Sequence, residues 1–520
     1  MVWAAVLGIM VMSLGLECWA LTRDLPYPDV DEPTFVRPAV HIASTGDLDP
    51  HWFGHPGSTT IYPIAGLYHA WDVVAHGAPV SSPNPDLAQR FATSPTTFFV
   101  IGRLWSIAFA VAAIPLVFLL GRRCFSTAVG LAGAALWALL PIAVSYGREV
   151  RTDSAGVFFA FLALLLIVRV VERPTLRNQV LAGVAIGAGI SSRYFLVTLL
   201  PVLVVAGMIA LRRRVPGASV RGIAAGVGAA ITTFVVTTPY FFLDWTTARH
   251  SLAAENGRSV GHDGLSPLGN LRWYLGSSLP RSLSWPIALL VVAGIVLALR
   301  RPRDVRHLLL LGAGATFLVA ISTSKLHWER WPLPIMPILV LLAAHAVVRL
   351  VSAVHARAGQ PIPGPAFAAA AVALVAIAPA TNVIRLDQRE SRPSTRVIAS
   401  RWIEAHIPEG SSVVRELKTA PLYDPNLHVF ARYSLPGGGW TIDRYRRDGF
   451  RYFVTNAGIS SAYVSQPHRY PAQSALYREL RREGCLLRKF HANADRYGPL
   501  IRVYELPAAD DARCKPIARA

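Results

Sequence analysis

The sequence predicts a polytopic α-helical membrane protein with a small extracytoplasmic α/β domain at its C-terminal end. Three observations carry that expectation. The 520-residue chain is 53% hydrophobic and only 16% charged, with a mean hydropathy of +0.39. Uncharged runs of 15–25 residues recur along most of its length, long enough as helices to cross a hydrocarbon core about 30 Å thick. The last 136 residues (385–520) instead mix charge of both signs with short alternating apolar segments. A bilayer admits only helices or closed barrels, and these runs are too long and continuous for barrel strands.

Taken in order, the apolar runs lie at about 2–16, 104–121, 124–147, 154–168, 178–192, 194–211, 222–243, 282–299, 307–324, 331–348 and 358–384, which makes eleven expected spans. The first lacks a basic leader and runs straight into an acidic segment, so it reads as a retained helix, although "ECWA" resembles a weak cleavage site. One set of alternate loops holds Arg122 and Arg123, then Arg169, Arg173 and Arg177, then Arg212, Arg213, Arg214 and Arg221. It continues with Arg300, Arg301, Arg303 and Arg306, then Arg349 and Arg357, against only Glu172 and Asp304. The positive-inside bias makes this set cytoplasmic, so eleven spans put the N-terminus inside and residues 385–520 outside.

The net charge of +20 is accounted for by these loops and by the polar tail, with no basic, aromatic-interleaved patch of the kind that binds nucleic acid. Four cysteines are too few for a disulfide scaffold and make no C-x-x-C pair. Cys485 and Cys514 both fall on the oxidising side, where a disulfide and two free thiols are equally open. In the tail, "SSVVREL", "FRYFVTN" and "LIRVYEL" alternate like strands and are separated by Gly, Pro and Asn. Residues 1–384 are thus read as the membrane domain and 385–520 as the soluble one.

Ionisable residues cluster on the outer side, where topology does not require them. "PDVDEP" places Asp29, Asp31 and Glu32 at the mouth of the first span, within a long loop over 22–103 whose stretch 59–78 reads as a surface helix. "GDLDPHWFGHPG" adds Asp47, Asp49, His51 and His55. "YGREVRTDSAG" packs Arg148, Glu149, Arg151 and Asp153 into a short connection, and "SSRYF" sets Arg193 between two apolar runs. "SKLHWERWPLPIMP" brings Lys325, His327, Glu329 and Arg330, whereas Glu17 reads as interfacial. Ionisable groups gathered from several spans at a membrane interface point to a functional site.

These motifs resemble the GT-C family of polyprenyl-phosphate-dependent glycosyltransferases, with protein O-mannosyltransferases and lipid A aminoarabinose transferases as the nearest groups. The resemblance rests on Asp31-Glu32 after the first span with a short helix and a Gly-Asp turn following. It continues in "GRLWSIAFAVAAIPLVFLLGRR", in the Arg-x-x-x-Asp-like entry of "ALLPIAVSYGREVRTDSAGVFFAFLALLL", and in "LAGVAIGAGISSRYFLVTLLP", and it extends over most of residues 1–350. "HPGSTTIY" departs from the pattern, standing where many members carry a Lys-Pro-Pro segment.

The resemblance implies an inverting transfer of a sugar from a polyprenyl-monophosphate donor to an acceptor hydroxyl, on the outer face of a bacterial-type plasma membrane. It implies Asp31 as general base, Glu32 beside it, and Asp153 as a second acid that positions the acceptor or binds a metal. Arg148, Arg151, Arg193 and Arg330 become candidates for the donor phosphate, because guanidinium matches phosphate bidentately, and Lys325 joins them as a point charge. The chemistry requires no cofactor; a divalent metal is an open option, with His51 and His55 as candidate ligands. The expected partners are the lipid-linked donor, membrane lipids, and a protein, lipid or glycan acceptor, with no nucleic acid.

Plainer roles stand beside these. Asp31 can cap the helix that begins near Pro33, Asp153 can cap the fourth span, and Arg148 or Arg151 can snorkel. Lys325, His327 and Arg330 can simply flank the tenth span. A polytopic transporter or lipid-linked sugar flippase is the alternative function, and a non-catalytic sensor with a ligand-binding tail is the third. A transporter is expected to show internal repeats or paired broken helices with charges inside its spans.

Overall fold

The computed structural model describes residues 2–26, 28, 31–80, 83–255, 265–300, 304–358, 364–422 and 424–507. Asp29, Arg301, Arg303, Cys514 and the side chain of Arg357 lie outside the described residues. Two compact units emerge. One comprises the described parts of Met1–Leu21, Thr34–Arg258 and His262–Leu386; the other comprises those of Thr22–Pro33 and Asp387–Ala520.

In the first unit, the described parts of each of the eleven expected runs fall on helix, beginning with α1 (Val2–Trp19). Among the described residues, however, only eight helices are long and apolar enough to cross a membrane, or ten when two bent pairs count as one span each. The expected count of eleven is not reached because the fifth run is a helix of only 15 residues, Leu176–Ile190. That is roughly 22 Å of helix, short of a full hydrocarbon crossing. The exposed apolar side chains of the long helices, among them Leu7, Leu289 and Val319, suit contact with lipid. The chain is an integral membrane protein.

The two bends have local causes. Thr127–Ala138 and Pro141–Gly147 meet at 61°, where Pro141 supplies no N–H and disfavours helix in Leu140 before it. Pro267–Leu283 and Trp285–Leu299 meet at 118°, across Ser284 at φ 71° with Pro286 beyond. Between these elements the chain packs closely. A methyl group on Gly183 would stand 2.0 Å from the Gly226 carbonyl oxygen, and one on Gly187 2.4 Å from that of Ala230. Small residues four apart on facing helices let the two backbones touch, the usual basis of packing in lipid. This contact holds Leu176–Ile190 against Val220–Thr237 and so anchors the turn that follows at 191–193.

Charge is segregated along the bundle. At one end Arg123 pairs with Glu172, and Arg306 donates to the Arg123 carbonyl at 2.9 Å while pairing with Asp304 at 2.9 Å. The helix Asp153–Glu172 runs from this basic end to the opposite one, where Asp153 sits.

The second unit contains a five-stranded sheet: β1 (Ser412–Glu416), β2 (His428–Arg432), β3 (Tyr452–Asn456), β4 (Cys485–Phe490) and β5 (Ile501–Glu505), in the order β2-β1-β3-β5-β4. β2, β1 and β3 are parallel, and β5 and β4 join antiparallel. Alternation decides which face each residue covers. Val413, Tyr452, Val454 and Val503 pack with Ile403 of the helix Thr395–His406 on one side. Val414, Phe453 and Tyr504 pack with Leu476 and Leu480 of Pro471–Glu483 on the other. The three strand-like segments expected from sequence are β1, β3 and β5. Cys485 is disulfide-bonded.

Glu416 is fully buried at the end of β1. It accepts from Asn456 N at 2.6 Å, from Leu435 N at 3.3 Å, and from the Tyr477 hydroxyl. Burial outweighs these bonds and pushes its carboxyl up to about 7. The folded state therefore binds this proton more tightly than the unfolded chain. Stability contributed here is present below the unfolded value of 4.5 and is lost as pH rises towards 7. Replacing Glu416 by Gln should remove that slope, and the thermal midpoints of wild type and variant should diverge between pH 5 and pH 8 by up to about 3 kcal/mol equivalent. Parallel melting curves across that range would contradict the assignment.

Candidate active site

An ionic cluster of the first unit lies where the short connection 147–152 enters its helix. Asp153, 2% exposed, receives Arg193 Nη1 at 2.7 Å on one oxygen and Arg151 Nε at 3.1 Å on the other. Arg151 also faces Glu149 at 3.5 Å and lies over the Tyr146 ring at 5.6 Å. Arg330 is buried, stacks over Trp328 at 4.8 Å, and contributes its positive field to Asp153. Two guanidinium groups thus bind one carboxylate while a third adds its field, and against Asp153 and Glu149 the three arginines leave the cluster net cationic. Gly156, one turn beyond Asp153, makes room for Arg193: a Cβ there would come within 3.1 Å of the Arg193 chain.

The loop 46–57 and the first turn of the helix that follows it are fastened to the Arg193 turn. Tyr194 donates to the Phe53 carbonyl at 3.0 Å, and the hydroxyls of Ser192 and Thr59 bond at 2.8 Å. This docking brings His55 to the cluster. Its ring stacks on Phe35 at 6.4 Å and meets Trp52 edge-on at 5.6 Å. Burial and the charges of Arg330, Arg193 and Arg151 push its imidazole down to about 3. His55 is therefore a neutral ring that can donate or accept a hydrogen bond without adding charge.

A recess lined by Tyr146, Gly147, Asp153, Ser154 and Leu333 opens beside Asp153. Two residues along the same short 3₁₀ turn, Ile335 lines an apolar groove of about 480 Å³. Its walls come from Pro267–Leu283, Trp285–Leu299, Val305–Ser322 and Met336–Ala358, with Leu279, Leu289, Leu311 and Leu342 among them. The 118° bend at Ser284 shapes this groove. A cationic cluster and an apolar groove thus share one connecting segment, Leu333–Ile335.

Residues 97–241 match the model of the dolichyl-phosphate-mannose-protein mannosyltransferase family. That match spans both Asp153 and Arg193. No curated protein sequence matches the chain. Among solved structures, apo ArnT from Cupriavidus metallidurans is similar over 97% of this chain and 98% of that one, at 14% identity and TM-score 0.58. The fold is the GT-C fold. ArnT bound to undecaprenyl phosphate is similar at TM-score 0.54 and 14% identity, covering 98% of each chain. The oligosaccharyltransferase AglB from Archaeoglobus fulgidus, in complex with an inhibitory peptide and a dolichol-phosphate, gives TM-score 0.53 and 12% identity, over 95% of this chain and 74% of that one.

Within this GT-C fold the sequence-level candidates separate into groups. Arg151, Asp153, Arg193 and Arg330 come together. Arg148, 1% exposed, turns elsewhere: its Nε donates to the Val144 carbonyl at 3.3 Å, and its charge acts on Cys18. Glu17 is 2% exposed and packs its carboxylate against Gly147. Lys325 is exposed.

Asp31 is half-buried in the turn that precedes the helix α2 (Pro33–Thr45), while Glu32 is fully buried. The expected helix over 59–78 is α3 (Ser58–His76). Among the described residues, His51 stands with His41, Asp47, Asp49 and Asp244 at metal-ligand spacing, whereas His55 lies in the field of the arginines. The role of His55 beside the cluster was missed at the sequence level, and the only signal for it was the unusual "HPG" where a Lys-Pro-Pro segment was expected.

Proposed function

We propose that the protein is an inverting glycosyltransferase that moves a sugar from a polyprenyl-monophosphate donor to an acceptor hydroxyl on the extracytoplasmic side. The observation that carries this reading is the buried Arg151–Arg193–Arg330 cluster joined by Leu333–Ile335 to the apolar groove. An anionic headgroup on a long apolar tail matches that pairing, and the family match and GT-C fold support the same class of reaction.

In the proposed reaction the acceptor oxygen attacks the anomeric carbon, and the bond from that carbon to the phosphate oxygen breaks with its electron pair staying on phosphate. The hydroxyl proton passes to Asp31, the general base. Arg193, Arg151 and Arg330 stabilise the charge that grows on the leaving phosphate, at a site where little water screens it. Asp153 fixes the two guanidinium groups in place and so serves as a positioning residue. His55 offers a neutral hydrogen-bond donor where a lysine would add a fourth charge, and Lys325 strengthens the surrounding positive potential. Glu32, enclosed by protein, supports the acidic turn.

The test uses the protein in sealed vesicles with tritium-labelled undecaprenyl-phosphate sugars (mannosyl, arabinosyl and aminoarabinosyl) and hydroxyl acceptors. The reading expects label in a glycosidic product together with released undecaprenyl phosphate. Label that crosses the membrane without any glycosidic product would favour the transporter alternative instead.

A further inference from the structure

We propose that His41, Asp47 and His51 form a binding site for a divalent transition-metal ion of the zinc class, which ties the end of α2 to the loop 46–57. His41 stands in the last turns of α2, and the left-handed Gly46 (φ 78°) turns the chain so that Asp47 points back towards it. His51 Nε2 lies 3.0 Å from Asp47 Oδ2, and His41 Nε2 lies 3.6 Å from the same oxygen. All three donor atoms lie within 4.8 Å of one another. Ligand atoms about 2.0–2.2 Å from a tetrahedral zinc stand roughly 3.4 Å apart, and the two pairs through Asp47, at 3.0 and 3.6 Å, bracket that spacing.

Two further observations point to a ligand. His41 Nε2 is enclosed yet has no hydrogen-bond partner among the described residues; at 3.6 Å from Asp47 it is too far to be one. A metal ion between them would satisfy both imidazoles and the carboxylate together. The second concerns the opposite nitrogen of His51. Asp49 accepts the His51 backbone N–H at 2.8 Å with one oxygen and holds the other 3.6 Å from Nδ1, with Asp244 on the same side. A carboxylate behind the distal nitrogen orients a metal-binding histidine and keeps Nε2 free for the ion. Two imidazole nitrogens select zinc-class ions over magnesium or calcium, which prefer oxygen. Three protein ligands leave a fourth position for water.

The site does not depend on the glycosyl-transfer reading. It would hold the first half of the loop that carries His55 in register with α2. The experiment measures metal content of the full-length protein, purified without chelator and dialysed with zinc sulfate, by mass spectrometry of the metal. It adds the visible spectrum of the cobalt(II) form.

About one zinc per chain and the d–d bands of four-coordinate cobalt are expected. His51→Ala should lose both, and Asp49→Asn should weaken binding roughly 10–100-fold. His41→Gln, on the outer surface of α2, gives the same readout should His51→Ala fail to fold. Zinc absent from the wild type, or retained equally by the His41 and His51 variants, marks an adventitious ion only and overturns the proposal.

Discussion

Replacing Asp31 by Asn is expected to lower sugar transfer by roughly 10²–10⁴-fold, the usual contribution of a positioned general base. Donor binding should change little. Asparagine keeps the shape of the side chain and its hydrogen-bonding oxygen but cannot take up a proton. Asp31 is half-buried whereas Glu32 beside it is fully buried, which favours Asp31 over Glu32 as the proposed base. The two neighbours therefore fail differently. Glu32→Gln should reduce the yield of folded protein or its thermal stability, while protein that does fold retains substantial transfer. Steady-state rates with a labelled undecaprenyl-phosphate sugar, set beside melting curves for both variants, separate the cases. Equal transfer by wild type and Asp31→Asn contradicts the assignment of the base.

Arg193→Gln carries the second large effect, and it acts on stability and transfer together. Asp153 is 2% exposed and holds Arg193 at 2.7 Å and Arg151 at 3.1 Å. Removing one partner of a buried pair leaves charge without compensation and costs about 3–5 kcal/mol. The loss of a donor aimed at the leaving phosphate should further reduce transfer by roughly 10²–10³-fold.

Combining Arg193→Gln with Asp153→Asn removes the carboxylate oxygen that Arg193 no longer compensates, so part of the lost stability should return while transfer stays low. That non-additivity is the signature of residues in contact. Arg193→Lys restores the charge but not the planar fork, and should recover transfer only in part. Recovery of transfer along with stability in the double variant would show that Arg193 is purely structural.

The fold was legible in the sequence because lipid imposes a strong constraint: long uncharged runs have few alternatives to helix, and each expected run falls on one. The span count was less legible. A run of apolar residues at 178–192 reads as a crossing, yet its helix ends at Ile190, where Ser191, Ser192 and Arg193 turn the chain.

In the soluble unit, β1, β3 and β5 announce themselves by dense β-branched and aromatic residues. β2 and β4, "HVFAR" and "CLLRKF", are more exposed strands of the sheet and carry weaker patterns. The site was legible as a set of charged loops, because charge near a membrane is costly and stands out. Pairings were not legible. Arg148 and Arg151 differ by three positions in one short segment; the structure turns the first towards the Val144 carbonyl and the second onto Asp153. His55 joined the cluster through contacts of Tyr194 and Ser192 with a loop some 140 residues earlier, which no local pattern encodes.

The central claim is that the arginine cluster holds the phosphate of a polyprenyl lipid whose tail lies in the apolar groove. Binding of undecaprenyl phosphate and of undecaprenol to the purified protein, measured by native mass spectrometry, tests it most directly. Wild type should retain the phosphate over the alcohol, and the Arg193→Gln/Arg330→Gln double variant should lose that preference by at least about tenfold, equivalent to 1.4 kcal/mol. Equal retention of both lipids by wild type, or an unchanged preference in the double variant, contradicts the account.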